Sequence, residues 1–204
     1  MDFDIVVVAN HHRKPLVIDY LKGIDYKISY TEDFNLPVGW QPKKEYEHLV
    51  RTAAGHLGHH RCIKGHHEAL KLSTKDRIVV MEDDAVPNVD NWMEYIERSV
   101  KLLDRFEIVS CHGRSADYSK FNQEGFFGKS SLYVPKDTTS YRYVLGSLVY
   151  SIKKEHIPRI LSHNYDGLPM DIFIANKFYF AFLGPSCMDH NRSQGSLIDI
   201  GVRN

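Results

Sequence analysis

The chain is poor in the features that mark secreted or membrane proteins. Its 204 residues include only three cysteines, at positions 62, 111 and 187, and an odd number at wide spacing forms no disulfide framework. The first segment, MDFDIVVVAN, has neither the basic region nor the cleavage site of a signal peptide. No apolar run is long enough to span a bilayer. We therefore expect a cytoplasmic protein without a transmembrane segment.

Net charge is also missing, because Lys+Arg and Asp+Glu number 26 each. This balance counts against a strongly basic surface for duplex DNA or an anionic membrane, and so against a nucleic-acid partner. Histidine, in contrast, is plentiful. The chain has 12 histidines, and six of them lie between His48 and His67.

Predicted strands and helices alternate along the chain. Strand patterns cover residues 5–9, 25–33, 77–81, 106–110, 144–151 and 178–183, and helical patterns cover 14–23, 45–72, 92–103, 153–163 and 170–176. Residues 113–140 show no clear period and are expected to form a long functional loop, and the segment from residue 187 onward an irregular tail. The pattern predicts one α/β domain over residues 1–204, with a mostly parallel central sheet flanked by helices.

One predicted strand ends in three acids, within the segment RIVVMEDDAVP (77–87). The β-branched run before the acids favours a buried strand. The ligand crevice of a parallel α/β sheet lies at the carboxyl ends of its strands, where Glu82, Asp83 and Asp84 would stand. Adjacent carboxylates repel one another unless a cation neutralises them, and their oxygens suit Mg²⁺ or Mn²⁺. The pattern predicts a site for one of these ions, and the alternative is helix capping with exposed charge.

Two segments, GHHRCIKGHHEAL and VVMEDDAVP, resemble the pattern of glycosyltransferase family 25. That pattern has a Gly, a Cys four residues on, a His four residues after that, and a hydrophobic strand ending in Glu-Asp-Asp. Gly58, Cys62, His66 and the acids 82–84 stand at those positions, whereas Arg61 replaces the family's second Gly and Gly65 its Ser. The later segments VLGSLVYSIKKEHIPRIL, LPMDIFI and GPSCMDHNRSQGSLI resemble its Gly-x-x-x-Tyr strand, Pro-x-Asp segment and Ser-x-Ile ending. The resemblance therefore runs in order from residue 58 to residue 198.

This resemblance implies a GT-A fold and metal-dependent, inverting transfer of a sugar from a nucleotide-sugar. In GT-A enzymes the last acid of the triplet ligates the metal, and the first faces the ribose or a metal-bound water, which maps to Asp84 and Glu82. Asp83 is expected to point the other way because neighbouring strand residues alternate, and it is kept with Glu82 as a donor-binding candidate. Late histidines complete the metal shell in many GT-A enzymes, so His190 is the third metal candidate, with Asp189 as its competitor.

Other candidates lie at predicted strand and helix ends. Ala9 and Asn10 end the first strand, and Thr31, beside Tyr30, ends the second; loops at these places hold the nucleotide base and ribose in this architecture. Asp171 matches the family's Pro-x-Asp segment. It is interpreted as the catalytic base that removes the proton of the acceptor hydroxyl, or as a helix cap.

The histidine-rich helical segment has one face formed by His59, Cys62, Ile63, His66 and Leu70. Three interpretations stay open: a face near the donor, where His66 helps to hold the strand end or the diphosphate; a structural Zn²⁺ site of His59, Cys62 and His66, which needs a fourth ligand; or ordinary packing. A second set, His56, His60 and His67, is expected to form a solvated face.

The expected activity is metal-dependent transfer of galactose or glucose from a UDP-sugar to a hydroxyl of a glycan of the lipopolysaccharide type. One alternative acceptor is a non-glycan hydroxyl, such as that of a hydroxymethylated nucleobase. A second alternative is an inactive module that only binds a sugar nucleotide. A nucleotidyltransferase or phosphatase is disfavoured, because VVVANHHRKP carries neither a Gly-rich phosphate loop nor a phosphoryl-accepting Asp.

Overall fold

The computed structural model is built around a large β-sheet with α-helices on both faces. It describes residues 1–10, 14–31, 34–112, 114–115, 117–127, 130–137, 144–145 and 147–191. The strands are β1 (Asp4–Asn10), β2 (Lys27–Thr31), β3 (Arg77–Glu82), β4 (Ala85–Pro87), β5 (Ile108–Ser110), β6 (Arg114–Ser115), β7 (Phe121–Phe127), β8 (Ser130–Pro135), β9 (Val144–Leu145), β10 (Val149–Lys153), β11 (Phe180–Gly184) and β12 (Met188–His190). The helices are α1 (Ala53–Lys71), α2 (Trp92–Leu102), α3 (Ile157–Leu161) and α4 (Met170–Lys177).

The central sheet has the strand order β2-β1-β3-β10-β5-β11-β8-β7. β1 pairs in parallel with β2 and β3, and β5 pairs in parallel with β11. β10 and β8 are antiparallel to both of their neighbours. Of the eight strands that the described residues contribute to this sheet, six therefore run in one direction. The prediction of an α/β fold with a mostly parallel central sheet flanked by helices is confirmed.

Alternation along the strands produces two hydrophobic cores, one on each face of the sheet. In β1, Ile5 and Val7 pack with α2 on one face, while Val6 and Val8 pack with α1, α3 and α4 on the other. All seven residues of β1 are buried. This double burial explains why β1 has a continuous apolar sequence rather than an alternating one.

Helix α1 lies close to the sheet because Gly65 has no side chain. A Cβ atom at this position would collide with the Thr31 and Val8 side chains on β2 and β1. The helix begins at Ala53, where the Thr52 hydroxyl caps it by accepting a hydrogen bond of 3.0 Å from Gly55 N. α1 precedes β3 and runs antiparallel to it, so the first turns of α1 lie at the carboxyl end of the sheet.

A short ribbon of β4 and β12 brings the segment after β11 next to the residues that follow β3. The two strands are antiparallel, with His190 opposite Ala85 and Asp189 opposite Val86. The backbone N–H of Asn191 also donates to the carbonyl of Asp84 at 2.9 Å. The expectation of an irregular tail from residue 187 is therefore wrong for Met188–His190, whereas the Ser-x-Ile ending at 196–198 lies outside the described residues.

Three further element predictions need correction. Residues 14–23 contain a short 3₁₀ helix, Val17–Asp19, because the backbone N–H groups of Leu16 and Val17 bond to the carbonyl of Asp83. Residues 45–52 precede α1 and are not α-helical. The predicted loop at 113–140 contains the hairpin β7–β8, which extends the sheet at its edge beside β11.

The part of the chain that the structure describes contains no helix that is both long and apolar enough to cross a bilayer.

Candidate functional site

The carboxyl ends of β1, β2 and β3 meet at one edge of the sheet. Asn10 stands beside Thr31 in the register of β1 and β2, and Val8 stands beside Glu82 in the register of β1 and β3. The strand-end candidates therefore share the edge at which parallel α/β sheets bind ligands.

Glu82, Asp84 and His190 form a compact group of potential metal ligands. One ligand atom from each side chain lies within 4.8 Å of the other two. His190 Nδ1 is 3.4 Å from Asp84 Oδ2, and the Asp84 side chain is only 5% exposed. The structure thus brings the third predicted metal candidate, His190, to Glu82 and Asp84, although it lies 106 residues after Asp84. Asp189, the competitor of His190, belongs to neither of the metal-ligand groups found among the described residues.

Glu82 is held in position by two side chains, one from α1 and one from the segment before β10. Its Oε1 atom is 3.3 Å from His66 Nε2 on α1 and accepts a hydrogen bond of 3.1 Å from the Ser147 hydroxyl. His66 is completely buried, and its Nδ1 atom is 3.1 Å from the Tyr150 hydroxyl on β10. Burial raises the pKa of Glu82, but the hydrogen bond and charge of His66, the charge of His190 and the Ser147 hydroxyl outweigh this effect. The net result is a pKa well below the usual range, so the carboxylate stays ionised.

Asp83 points away from this group, as the alternation of strand residues predicts. Its Oδ2 atom accepts a hydrogen bond of 2.8 Å from the backbone N–H of Asn10, and the residue is 2% exposed. The Asp83 backbone also bonds to Val8, Leu16 and Val17. Asp83 therefore ties the end of β3 to the end of β1.

The remaining strand-end candidates differ in what they expose. Ala9 and Thr31 are buried, at 1% and 5% exposure, with Ala9 in the core and Thr31 beside Gly65 on α1. Asn10 is also buried. Tyr30, which precedes Thr31 on β2 and stands beside Ala9 on β1, is 51% exposed. The Tyr30 ring is therefore accessible to a ligand.

Asp171 lies in the first turn of α4, which packs against α1. Its charge acts on two residues of α1. Burial lowers the pKa of His59, whereas the charges of Asp171 and Glu82 raise it. Burial raises the pKa of the Cys62 thiol, and the charges of Glu82, Asp171 and Asp84 raise it further. The charges of Asp171 and of Glu82 therefore act on the same two residues of α1, His59 and Cys62.

A cleft of about 540 Å³ opens at the start of α1. It is lined by Leu36, Trp40, Gln41, Pro42, Glu47, Val50, Arg51, Thr52, Ala53 and His56. The Trp40 ring stacks on the Tyr165 ring at 5.2 Å, and the Trp40 indole N–H donates to the Tyr165 carbonyl. His56 Nδ1 is 2.7 Å from the Tyr165 hydroxyl. This rigid aromatic wall offers a binding surface beside polar and charged groups.

The predicted solvated histidine face is wrong. His56 and His67 are 8% and 6% exposed, and His60 is half-buried. His67 Nε2 donates to the carbonyl of Ile160 on α3, and Tyr165 covers His56. Burial lowers the pKa of all three histidines, that of His67 to about 4. His56 and His67 are therefore buried and His60 is partly buried, because Tyr165 and the Ile160 carbonyl lie against α1.

Several residues near the site were not predicted from the sequence. No sequence pattern pointed to Ser147 or His112. In the structure His112 is 2% exposed, and its ring meets the His190 ring edge-on at 5.1 Å. A sequence pattern did point to Tyr150, since it is the Tyr of the Gly-x-x-x-Tyr resemblance. Trp40 and Tyr165 lie 125 residues apart in sequence, so their stacking depends on tertiary structure.

No family model matches the chain, and no curated protein matches it. Solved structures with similar folds include a protein from STIV, which is 15% identical with a TM-score of 0.43 over 94% of this chain and 86% of its own. A glycosyltransferase involved in the glycosylation of the major capsid of PBCV-1 is 15% identical, with a TM-score of 0.41 over 77% and 63% of the two chains. A putative glucose-1-phosphate thymidylyltransferase from Bacillus anthracis is 10% identical, with a TM-score of 0.43 over 87% and 65%. At these identities and TM-scores, the similarities establish neither a family nor an activity for this chain.

Proposed function

We propose that the chain is a single-domain, metal-dependent glycosyltransferase of the GT-A type. In this proposal it transfers galactose or glucose from a UDP-sugar, with inversion, to a hydroxyl of a glycan acceptor. The observation that carries the proposal is the convergence of Glu82, Asp84 and His190 at the carboxyl end of β3. This edge also holds the ends of β1 and β2.

The chemistry of these three side chains fits Mn²⁺ or Mg²⁺. Two carboxylates offer the oxygen ligands that both ions prefer, and the imidazole of His190 favours Mn²⁺. When bound there, the ion would join the donor diphosphate to the carboxylates and stabilise the charge of the leaving diphosphate.

Glu82 is already oriented for this role. His66 and Ser147 fix its carboxylate, and the Tyr150 hydroxyl in turn holds His66. Such supporting contacts fix the orientation of a ligand side chain and strengthen a metal site. Near the ends of β1 and β2, we assign Asn10 and the exposed ring of Tyr30 to the ribose and base of the donor. The buried residues Ala9 and Thr31 would pack beneath them.

Asp171 is the proposed base that removes the proton from the acceptor hydroxyl. Inverting transfer needs a base on the side of the anomeric carbon opposite the diphosphate, so the acids that hold the metal cannot serve. Asp171 stands in the first turn of α4. Positioning of the acceptor is its competing role.

The cleft at Trp40 is the proposed binding place for the rest of the acceptor. His66 contacts Glu82, and His56 lines the cleft ten residues earlier on α1. With a helical rise of about 1.5 Å per residue, the cleft is about 15 Å along the helix axis from His66. His59 lies between His56 and His66 along α1, and the charge of Asp171 raises its pKa against the effect of burial. An acceptor longer than one sugar unit would therefore extend from Asp171 towards the Trp40 ring.

The resemblance to glycosyltransferase family 25 supports the same proposal. Three residues of its pattern, Cys62, His66 and Glu82, come from two elements and converge within 4.8 Å. The three cysteines are free, which supports our assignment to a reducing compartment such as the cytoplasm.

A thermal-shift screen of nucleotide-sugars, each with and without Mn²⁺, tests this function. A donor at about 100 times its Kd stabilises the native state by about 2.7 kcal/mol, which raises the Tm of a chain of this size by about 5–11 °C. We expect UDP-galactose or UDP-glucose to give such a shift only with Mn²⁺. If no nucleotide-sugar raises the Tm, the proposal is wrong.

The screen also selects the donor for a transfer assay. Incubation of that donor with core oligosaccharides is expected to release UDP and to lengthen the glycan. If the chain transfers sugar to hydroxymethylated DNA and not to oligosaccharides, the acceptor is the nucleobase and not a glycan. Donor binding without any transfer would mark an inactive sugar-nucleotide-binding module.

A further inference from the structure

Cys62, His66 and Glu82 form a second group of convergent ligand atoms beside the proposed metal centre. A thiol sulfur, an imidazole nitrogen and a carboxylate oxygen lie within 4.8 Å of one another. Cys62 and His66 come from α1, one turn apart, and Glu82 comes from the end of β3. Glu82 belongs to both groups.

One of the three spacings, that between His66 and Glu82, already equals that of a tetrahedral site. Ligand bonds of about 2.0–2.3 Å at tetrahedral angles place neighbouring nitrogen, oxygen and sulfur ligands about 3.3–3.6 Å apart. His66 Nε2 and Glu82 Oε1 are already 3.3 Å apart. An ion between them would replace the hydrogen bond that now joins the two side chains, with little movement of either.

The surroundings of His66 are also those of a metal ligand. The ring is completely buried, and it stacks on the Tyr150 ring at 5.6 Å. Its second nitrogen faces the Tyr150 hydroxyl at 3.1 Å. Metal-binding histidines almost always make such a hydrogen bond through the nitrogen that does not ligate, which fixes the orientation of the ring.

We propose that Cys62, His66 and Glu82 bind Zn²⁺ or another thiophilic divalent ion. Sulfur and imidazole ligands select such ions, whereas Glu82, Asp84 and His190 offer a harder, oxygen-rich set. The third ligand is Glu82 and not His59, because His59 belongs to neither of the metal-ligand groups found among the described residues. A water or a substrate oxygen would occupy the fourth position. Binding releases the Cys62 thiol proton to solvent, so the apparent affinity increases with pH.

Because the two groups share Glu82, the thiophilic ion is an antagonist of the Mn²⁺ site. Both groups use the Glu82 carboxylate, so an ion at Cys62 and His66 would take one of its oxygens and place a second positive charge beside the Mn²⁺ site, where like charges repel. This consequence for donor binding rests on the proposed function, whereas the binding of Zn²⁺ itself does not. We expect micromolar Zn²⁺ to weaken Mn²⁺-dependent binding of UDP.

Titration of the full chain with Co²⁺ alone tests the site, because a thiolate ligand gives Co²⁺ a near-ultraviolet charge-transfer band. The wild-type chain is expected to show this band and to lose it when Zn²⁺ is added. Cys62→Ser should remove the band and weaken Zn²⁺ binding by more than about 100-fold, since even the loss of a supporting contact costs 10–100-fold. Cys111→Ser and Asp84→Asn should keep it.

X-ray absorption of the Zn²⁺-loaded wild-type chain needs no variant and gives a second measure. We expect a shell of one sulfur at about 2.3 Å with lighter atoms at about 2.0 Å. A wild-type chain without the cobalt band, a band that persists in Cys62→Ser, or a zinc shell without sulfur would each overturn the site.

Measurement of UDP binding in the presence of Mn²⁺ and Zn²⁺ separates this proposal from the proposed function. Zn²⁺ should raise the apparent Kd for UDP in the presence of Mn²⁺ in the wild type, and should do so far less in Cys62→Ser. If the cobalt band is present but no UDP binds with Mn²⁺, the thiophilic site stands and the proposed function fails. If Zn²⁺ affects UDP binding equally in both proteins, the antagonism does not act through Cys62.

Discussion

Replacing Asp83 by alanine should destabilise the fold and leave metal-dependent nucleotide binding almost unchanged. The Asp83 carboxylate accepts the backbone N–H of Asn10 at 2.8 Å and is 2% exposed. A hydrogen bond to a charged group contributes about 1.5–3 kcal/mol, and a buried donor left unsatisfied costs about 1–3 kcal/mol. We therefore expect Asp83→Ala to lower the free energy of unfolding by about 2–3 kcal/mol.

The neighbouring acid provides a matched control. Asp84→Asn weakens the contact of 3.4 Å between the Asp84 carboxylate and His190 Nδ1, but it also relieves the repulsion between Asp84 and Glu82. Its effect on the stability of the metal-free protein should therefore be smaller than that of Asp83→Ala. Its effect on nucleotide binding should be larger, because we assign Asp84 to the metal.

Urea unfolding followed by circular dichroism, together with calorimetry of Mn²⁺-UDP binding, separates the two roles. For a chain of this size, 2–3 kcal/mol corresponds to a decrease in Tm of about 4–12 °C. If Asp83→Ala keeps its stability and loses Mn²⁺-UDP binding, Asp83 is a donor or metal contact and our assignment of the acids is wrong.

Three further predictions concern transfer, pH and the cleft. Asp171→Asn should bind donor and Mn²⁺ normally but lose about 10²–10⁴-fold in transfer rate; retention of more than about a tenth of the rate, well short of that range, would leave Asp171 as a cap. Burial raises the pKa of Asp4, but the backbone N–H groups of Lys75 and Thr74 outweigh it and hold the pKa well below the usual range. Its stabilising contribution is therefore complete above about pH 4 and is lost as pH falls below it, and urea unfolding of Asp4→Asn should show a weaker loss of stability below pH 4. In Trp92→Phe, Trp40 is the remaining tryptophan, so its fluorescence emission can be followed alone. Core oligosaccharides at about 10 mM, ten times a millimolar Kd, should change this emission. An unchanged emission would show that the cleft is not part of the acceptor site.

The centre of the sheet could be predicted because β1 and β3 are buried on both faces. The runs that form β1 and β3 are apolar and β-branched, and this pattern depends little on the rest of the chain. Helix α4 was predicted almost to the residue. Expectations failed where tertiary contacts decide the structure: β7 and β8 lie at the sheet edge, where polar residues such as Gln123 and Glu124 interrupt the apolar pattern.

The candidate site could be located in part for the same reason. The acids 82–84 follow a strand with a strong signal, and the resemblance to family 25 pointed to His66 and Asp171. The position of His190 beside Asp84 depends on the pairing of β4 with β12, two strands of three residues that carry little local signal. The burial of His56 depends on Tyr165, a residue that is 109 positions away, so no local pattern could have shown it.

The anomalous scattering of manganese in crystals grown with Mn²⁺ and UDP tests the central claim most directly. We predict a manganese peak about 2.0–2.3 Å from a carboxylate oxygen of Asp84 and from a His190 nitrogen, with the diphosphate of UDP on the open side of the ion. A His190 nitrogen more than about 3 Å from the peak, beyond usual ligand distances, would transfer that role to Asp189 or water. Bound UDP without manganese at the end of β3 would contradict the metal-dependent mechanism.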